Sequence, residues 1–306
     1  MILAAIDIGS NAARLLICEV IRNEAGNTFN KLNLIRIPLR LGFDVFEKGY
    51  IGFGKRNMLI NTIDAFSALM KVYEVDHYIA CATSAMRDAS NSKEIIKDIK
   101  AGVGIKIEVI SGELEAEIIY ENHIAELLDS NKSYLYIDVG GGSTEITLFH
   151  KSEVTFQKSF NIGTIRLLTN KVDEATWEEL KLTLKEISKK YNRIIAIGSG
   201  GNINKIFSML NSKTLKSLPI EVIREFYKVL EPLSVQERMD TYSLKKDRAD
   251  VIVPALRIYA NAMKWANIDE ILVPKIGLAD GLINHLFEQC MSSKKVDSFV
   301  IDKFAV

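Results

Sequence analysis

Two stretches of this chain carry the same pattern, and that repetition limits the fold more than any other feature. In Tyr134-Leu135-Tyr136-Ile137-Asp138-Val139 an apolar run delivers an aspartate to a strand end. Gly140-Gly141-Gly142 then turn the chain, and Ser143-Thr144-Glu145-Ile146-Thr147-Leu148 leads away with alternating polarity. Near the N-terminus, Ala5-Ile6-Asp7-Ile8-Gly9-Ser10-Asn11-Ala12-Ala13-Arg14-Leu15-Leu16-Ile17 does the same, and an offset of 131 places Asp7 on Asp138 and Gly9 on Gly140. Each copy reads as strand, Asp-x-Gly turn, strand. Glycine at a strand end admits positive φ and lets a ligand reach main-chain N–H groups. Successive N–H groups in such a turn form an anion-binding concavity. Ser143 and Thr144 add hydroxyl donors, while Asp138 and Glu145 supply hard oxygens suited to Mg²⁺ or another divalent cation. A glycine-rich hairpin with a polar tip explains one copy; two copies argue for two related domains facing each other across a cleft.

The length of 306 residues and a hydrophobic content of 48% suit two such domains. With 39 basic and 39 acidic residues the formal net charge is zero, so no bulk field draws in nucleic acid. A polyanionic ligand must be held by aimed N–H groups and a few local cations. Three scattered cysteines, Cys18, Cys81 and Cys290, in apolar settings read as a reduced cytoplasm. No signal peptide is expected before the first strand, and no apolar run reaches membrane-spanning length.

Read in order, strands are predicted over 2–8 and 12–20, over Leu32 to Leu41, over Tyr78 to Ala82 and over Ile105 to Ile110. Glycines 49, 52 and 54 precede a helix running through Met58 to Tyr73. A second helix is predicted from Ser92 to Ala101 with Asn91 or Ser92 as N-cap, and a third from Glu113 to Leu128. Asp129 to Ser133 is the predicted crossing between domains 1–128 and 129–306. Further strands are expected at Glu153–Phe160, Ile194–Ile197 and Ile268–Val273. Helices are expected at Asp173–Lys190, Arg248–Trp265 with a kink at Pro254, and Gly277–Gln289. Strands alternating with helices make the fold class α/β.

Several residues are candidates for chemistry. Gly198-Ser199-Gly200-Gly201-Asn202 joins a buried strand to a helix, whose N-terminal N–H groups suit phosphate; alone it reads equally as a tight turn. Beside the other two turns the ligand reading is favoured. Glu113 and Glu117 fit acids placed favourably for the helix dipole. Glu115 differs, because helical spacing sets it beside Ile118 and Ile119, an apolar setting that suits a general base. Arg87 and Arg40 are candidate phosphate clamps or surface ion-pair partners. The histidines at 77, 123, 150 and 285 show no metal-ligand spacing.

The paired turns resemble the actin-like, or sugar kinase/Hsp70, superfamily. The fuller set of motifs resembles the exopolyphosphatase/guanosine pentaphosphate phosphohydrolase family, in order and to about residue 288. Those motifs are Asp7 to Asn11, Arg40-Leu41-Gly42, Ala82 to Arg87, Ile110-Ser111-Gly112 with Glu115-Ala116, and Asp138 to Glu145. They continue through Gly163-Thr164, Gly198 to Gly201, Asp247-Arg248-Ala249-Asp250 and Gly277-Leu278.

The resemblance implies two actin-like domains and removal of a terminal phosphoryl group by water, from inorganic polyphosphate or guanosine pentaphosphate. It puts the catalytic glutamate at Glu115, the motif arginine at Arg87, and metal- and phosphate-associated acids at Asp138 and Glu145. The phosphate grips fall on Gly9, Ser10 and Asn11, on Gly140, Gly141, Gly142, Ser143 and Thr144, and on Gly200 and Gly201. It allows a homodimer and gives no nucleic acid or membrane partner. The C-terminal helical HD-type domain of longer members has no counterpart here. Gly277-Leu278-Ala279-Asp280-Gly281 and Asn202 depart from the family pattern, toward the nucleoside end of the expected cleft. An actin-fold phosphotransferase and a non-catalytic polyphosphate or alarmone sensor are the alternative readings.

Overall fold

In the computed structural model the described residues are 1–23, 26–121, 129, 132–151, 153–210, 217–274 and 277–292. The predicted helix end at 122–128, part of the predicted crossing at 129–133 and the tail beyond 292 fall outside them. The chain divides into two compact units, residues 1–123 with 278–306, and residues 124–277.

The first unit holds β1 (Ile2–Ile8), β2 (Ala13–Asn23), β3 (Gly26–Ile37), β4 (His77–Ala82) and β5 (Glu108–Val109) in the order β3-β2-β1-β4-β5. β1 is antiparallel to β2 and parallel to β4. Its helices are α1 (Leu41–Lys48), α2 (Phe53–Val72), α3 (Ser84–Asp88), α4 (Ser92–Val103) and α5 (Gly112–Glu121). The second unit holds β6 (Ser133–Val139), β7 (Thr144–His150), β8 (Glu153–Phe160), β9 (Ile194–Ser199), β10 (Ser217–Pro219) and β11 (Glu270–Leu272), in the order β10-β11-β9-β6-β7-β8. Its helices are α6 (Thr164–Leu168), α7 (Glu174–Lys190), α8 (Gly201–Met209), α9 (Ile220–Leu230), α10 (Val235–Tyr242), α11 (Lys246–Ala249) and α12 (Ile252–Trp265).

The two sheets share one plan: a three-strand antiparallel meander whose first strand also pairs in parallel with the next strand in sequence. Register is repeated to the residue. Asp7 pairs with Arg14 and Ile8 with Ala13; Asp138 pairs with Glu145 and Val139 with Thr144. The expected α/β class with two actin-like sheets is therefore borne out. In the second unit Leu135, Ile137, Val139, Ile146 and Leu148 enter a core with Leu180 and Leu184 of α7 and Leu256 and Met263 of α12. The period-two alternation consequently leaves Asp138 and Glu145 on the opposite face.

Several expectations need correction. The third strand spans 26–37 rather than 32–41, because its first half is polar and exposed and carries no apolar alternation. Arg40-Leu41-Gly42 opens α1 instead of closing a strand, with Arg40 in the left-handed region at φ 55°. Only Glu108–Val109 of the predicted 105–110 strand is paired. Pro254 makes no kink: α12 starts at Ile252, so the proline sits in the first turn, where its missing N–H has no helical partner to lose. Asn91 precedes α4 but does not cap it with its side chain; it bonds both the N–H and the carbonyl of Ile51, at 3.0 and 2.9 Å.

The closing helix, Leu278–Met291, packs on α5, β1, β2 and β4 and so belongs to the first unit, although sequence order groups it with 129–306. Gly281 lies so near α5 that a Cβ would meet the Ile118 carbonyl oxygen at 2.4 Å, and Asp280 pairs with Lys31. Gly281, which the family motif shares, and Asp280, which departs from it, thus both serve packing within the first unit.

Each Asp-x-Gly turn is pinned by the helix that follows the third strand. The N–H groups of Arg40 and Gly42 donate to the carbonyls of Asn11 and Ser10, both at 2.9 Å. In the second unit the N–H groups of Thr164 and Ile165 donate to the carbonyls of Gly140 and Gly141, at 3.0 and 2.8 Å. Lys55 braces the first of these from α2, its Nζ donating to the Arg40 carbonyl at 2.6 Å while lying 3.2 Å from Asp44. Asp44 also accepts the Gly52 N–H at 2.9 Å. Burial alone would raise the Asp44 carboxyl, but the Gly52 N–H and Lys55 outweigh it and leave the pKa lowered.

A Cβ at Gly163 would come within 2.4 Å of the Gly141 carbonyl oxygen, where backbone cannot yield. Gly163→Ala is expected to cost about 1–3 kcal/mol of overpacking, read by urea denaturation. Because Asp44 has a depressed folded-state pKa, its stabilisation is full above the unfolded value and is lost as pH falls through the folded one. Wild type and Asp44→Asn should therefore differ in stability at neutral pH and converge in acid, as measured by denaturation midpoints across pH.

Candidate active site

The polar groups of the first unit gather at the C-terminal ends of β1 and β4. Asp7 is buried and ion-paired with Arg14 on the neighbouring strand. The Gly9 N–H closes the turn on the Ala12 carbonyl at 3.0 Å. Ser10 Oγ lies 2.7 Å from Ser84 Oγ, tying the turn to α3, and the Thr83 N–H donates to the Ile8 carbonyl at 3.1 Å. Arg87, in α3, donates from Nη1 to the Ile110 carbonyl at 2.9 Å, just ahead of α5. Arg40 lies over the Phe43 ring, its guanidinium carbon 4.3 Å from the centroid.

Ser111 caps α5 by accepting the Leu114 N–H at 3.2 Å. Glu113 is exposed, and its own N–H and the Ser111 hydroxyl hold its carboxyl below the usual range. Glu115, two residues on, is half-buried. Its carboxyl stands near enough to Cys81, the β4 residue beside Asp7, to be felt there. Burial first, then Glu108, Asp7 and Glu115, push the Cys81 thiol up to about 12. That thiol is no nucleophile at neutral pH.

In the second unit the Gly140 N–H donates to the Ser143 carbonyl at 2.9 Å, the same bond at the same place as Gly9 to Ala12. Neither Gly9 nor Gly140 adopts the positive φ expected of it; what each supplies is room, since a Cβ would stand 3.3 Å from the Ala12 carbonyl oxygen and 3.2 Å from that of Ser143. Arg166 Nε donates to the Gly142 carbonyl at 2.7 Å. The Thr144 hydroxyl, expected as a ligand donor, is fully buried and donates to the Ile162 carbonyl at 2.5 Å. The turn carbonyls are thus occupied by the fold. Among the described residues none accepts from the N–H groups of Ser10, Gly141 or Gly142.

Asp138 and Glu145 are buried register partners, with a carboxylate oxygen of each within 4.8 Å of the other. Ser159 Oγ donates to Glu145 Oε1 at 2.9 Å. Burial, and after it the Asp138 carboxylate, drive the phenols of Tyr136 and Tyr259 well above their ordinary pKa. Two close hard-oxygen donors fit Mg²⁺ or a similar divalent cation.

The third turn closes on the same acid. Gly200 has φ +103°, and a Cβ there would lie 2.9 Å from Asp138 Oδ1. A Cβ on Gly201 would meet the Arg248 guanidinium at 2.5 Å, and Arg248 Nη1 donates to Asn202 Oδ1 at 3.3 Å. The sequence motif Asp247-Arg248-Ala249-Asp250 gives Arg248 no role of its own; the one signal for it is a glycine where a bulky partner must approach. Within the second unit, then, Asp138, Gly140 to Thr144, Glu145, Gly200 and Gly201 come together at the C-terminal ends of β6 and β9. Within the first, Gly9 to Asn11 and the helices bearing Arg87 and Glu115 gather likewise.

The described residues contain no helix long and apolar enough to cross a membrane. Among curated relatives, a bifunctional 3-dehydroquinate synthase/phosphatase of Fusobacterium nucleatum is 29% identical over 252 residues, 79% of this chain and 35% of that protein. A guanosine-5'-triphosphate,3'-diphosphate pyrophosphatase of Pseudoalteromonas translucida is 25% identical over 325 residues, 99% of this chain and 63% of that protein. The chain thus spans about a third of the first and under two thirds of the second. The crystal structure of the Aquifex aeolicus member of the Ppx/GppA protein family superposes with a TM-score of 0.73 at 26% identity, covering 94% of this chain and 98% of that one. The model of the Ppx/GppA phosphatase family matches residues 20–289, and the chain belongs to that family.

Proposed function

We propose that the chain is a phosphoanhydride hydrolase that removes the terminal phosphoryl group from inorganic polyphosphate or guanosine pentaphosphate. One observation carries the reading: the fold spends the turn carbonyls on helix N–H groups and leaves the N–H groups of Ser10, Gly141 and Gly142 to a ligand. Donors fixed before the ligand arrives need no reorganisation as charge develops on phosphate oxygens. The named activity of the Pseudoalteromonas translucida relative supports the same class of substrate.

In this reading Glu115 orients a water molecule and takes its proton as the water oxygen bonds to phosphorus. The bridging P–O bond breaks, and the electron pair leaves on the shortened chain. Arg87, held at one nitrogen by the Ile110 carbonyl, turns its remaining N–H groups to the charge on the transferred group. Asp138 and Glu145 hold a divalent cation, which when bound neutralises charge on the leaving oxygens. Gly200 and Gly201, packed against Asp138 and Arg248, open α8, whose N-terminal N–H groups suit further phosphate oxygens.

Glu115→Gln should lower the rate of phosphate release roughly 10²–10⁴-fold, read by phosphate release at saturating substrate. Unchanged release would remove Glu115 from the mechanism. With Mg²⁺, phosphate should appear from long polyphosphate, short polyphosphate or guanosine pentaphosphate without any acceptor, and chelation with EDTA should stop it. Release that needs a second substrate would make the chain a phosphotransferase; binding without turnover would make it a sensor.

A further inference from the structure

Three successive carbonyls of the second unit's turn are taken. Those of Gly140 and Gly141 accept the N–H groups of Thr164 and Ile165, and that of Gly142 accepts Arg166 Nε at 2.7 Å. The peptide bonds are trans, and in a planar trans peptide the N–H points opposite to the carbonyl it adjoins. Holding these carbonyls on one side therefore turns the N–H groups of Gly141, Gly142 and Ser143 to the other. Ser143 is 3% exposed, and among the described residues none accepts from its N–H. A buried amide without an acceptor is rare, and an anion is the partner that such a turn suits.

The third hold differs in kind from the first two. At the offset of 131, Asn11 is the counterpart of Gly142, and a main-chain donor, the Arg40 N–H, holds the Asn11 carbonyl at 2.9 Å. In the second unit the main-chain N–H of Arg166 is directed at Gly141 instead, at 3.3 Å, and Gly142 is held by the Arg166 side chain. We propose that Arg166 is a positioning residue for the phosphate grip, aiming the Ser143 N–H at a phosphate oxygen by holding the Gly142 carbonyl. It acts through one peptide plane. The inference rests on this turn being the grip that the hydrolase reading assigns.

The test separates the hydrogen bond from the charge. Glutamine carries its amide nitrogen as many bonds from the backbone as arginine carries Nε; methionine fills similar space with no donor. Arg166→Met should lower kcat/KM for phosphate release from polyphosphate about 10–100-fold, as expected for losing a hydrogen bond to a charged group. Arg166→Gln should recover most of that loss, with thermal unfolding verifying each fold. Wild-type kcat/KM in Arg166→Met, or equal losses in both variants, would overturn the proposal. If Arg166→Met does not fold, Arg166→Ala takes its place. The ¹⁵N-labelled chain is also titrated with tripolyphosphate in EDTA, which stops turnover, and followed by backbone amide shifts. The Ser143 amide should respond in wild type and fade selectively in Arg166→Met, while Gly142, aimed by Ile165, still responds. No Ser143 response in wild type, or undiminished response in Arg166→Met, would also overturn the proposal. The expected amide pattern in a chain that releases no phosphate would retire the hydrolase reading and leave the positioning role standing.

Discussion

The site depends on a carbonyl being taken. In each unit a helix N-terminus donates to the oxygens of the Asp-x-Gly turn: Gly42 to Ser10, and Ile165 to Gly141. A short turn has few stable arrangements once its carbonyls are held, and those bonds decide which main-chain groups remain for something else. The same act satisfies donors at the helix start that would otherwise be orphaned. Arg40-Leu41-Gly42 and Gly163-Thr164 differ in sequence, yet they perform this one task in their respective units. Gly163 does so by close approach, and Lys55 reinforces the counterpart at Arg40.

Around the turns, charge is arranged locally in a chain whose formal net charge is zero. Asp7 has Arg14 across the ladder, whereas the equivalent rung of the second unit sets Asp138 against Glu145. One duplicated register thus yields an internally neutral pair in one unit and two facing acids in the other. Two buried carboxylates at this distance repel unless a proton or a cation comes between them. That asymmetry, more than any single residue, sets the second unit apart from the first.

Much of this was legible because it depends on local rules. Strand alternation, glycines at strand ends and the repeated Asp-x-Gly spacing located both hairpins, and Glu153–Phe160 matched the observed β8 at both ends. The misread segments share a cause. The first half of β3 is exposed and polar, so it lacks the periodicity that marks a strand, and α1 begins at a left-handed Arg40 that no composition signal announces. Pro254 reads as interior to a helix because the break at Val251 carries no turn residue and the apolar pattern runs straight through it. Arg248 and Gly201 meet across 47 residues of chain, a contact that tertiary packing alone makes.

The closing helix returns to the first unit after the whole second unit has been made. The second unit is therefore an insertion within the first in topological terms. During synthesis its sheet can be completed while the first sheet still lacks the helix that covers β1, β2 and β4. The nascent chain then carries an exposed apolar face until Leu278–Met291 is made, and the closing contact must join residues of β1 to residues about 270 positions later. Such long-range closure is entropically slow, so completion of the first unit is expected to trail that of the second.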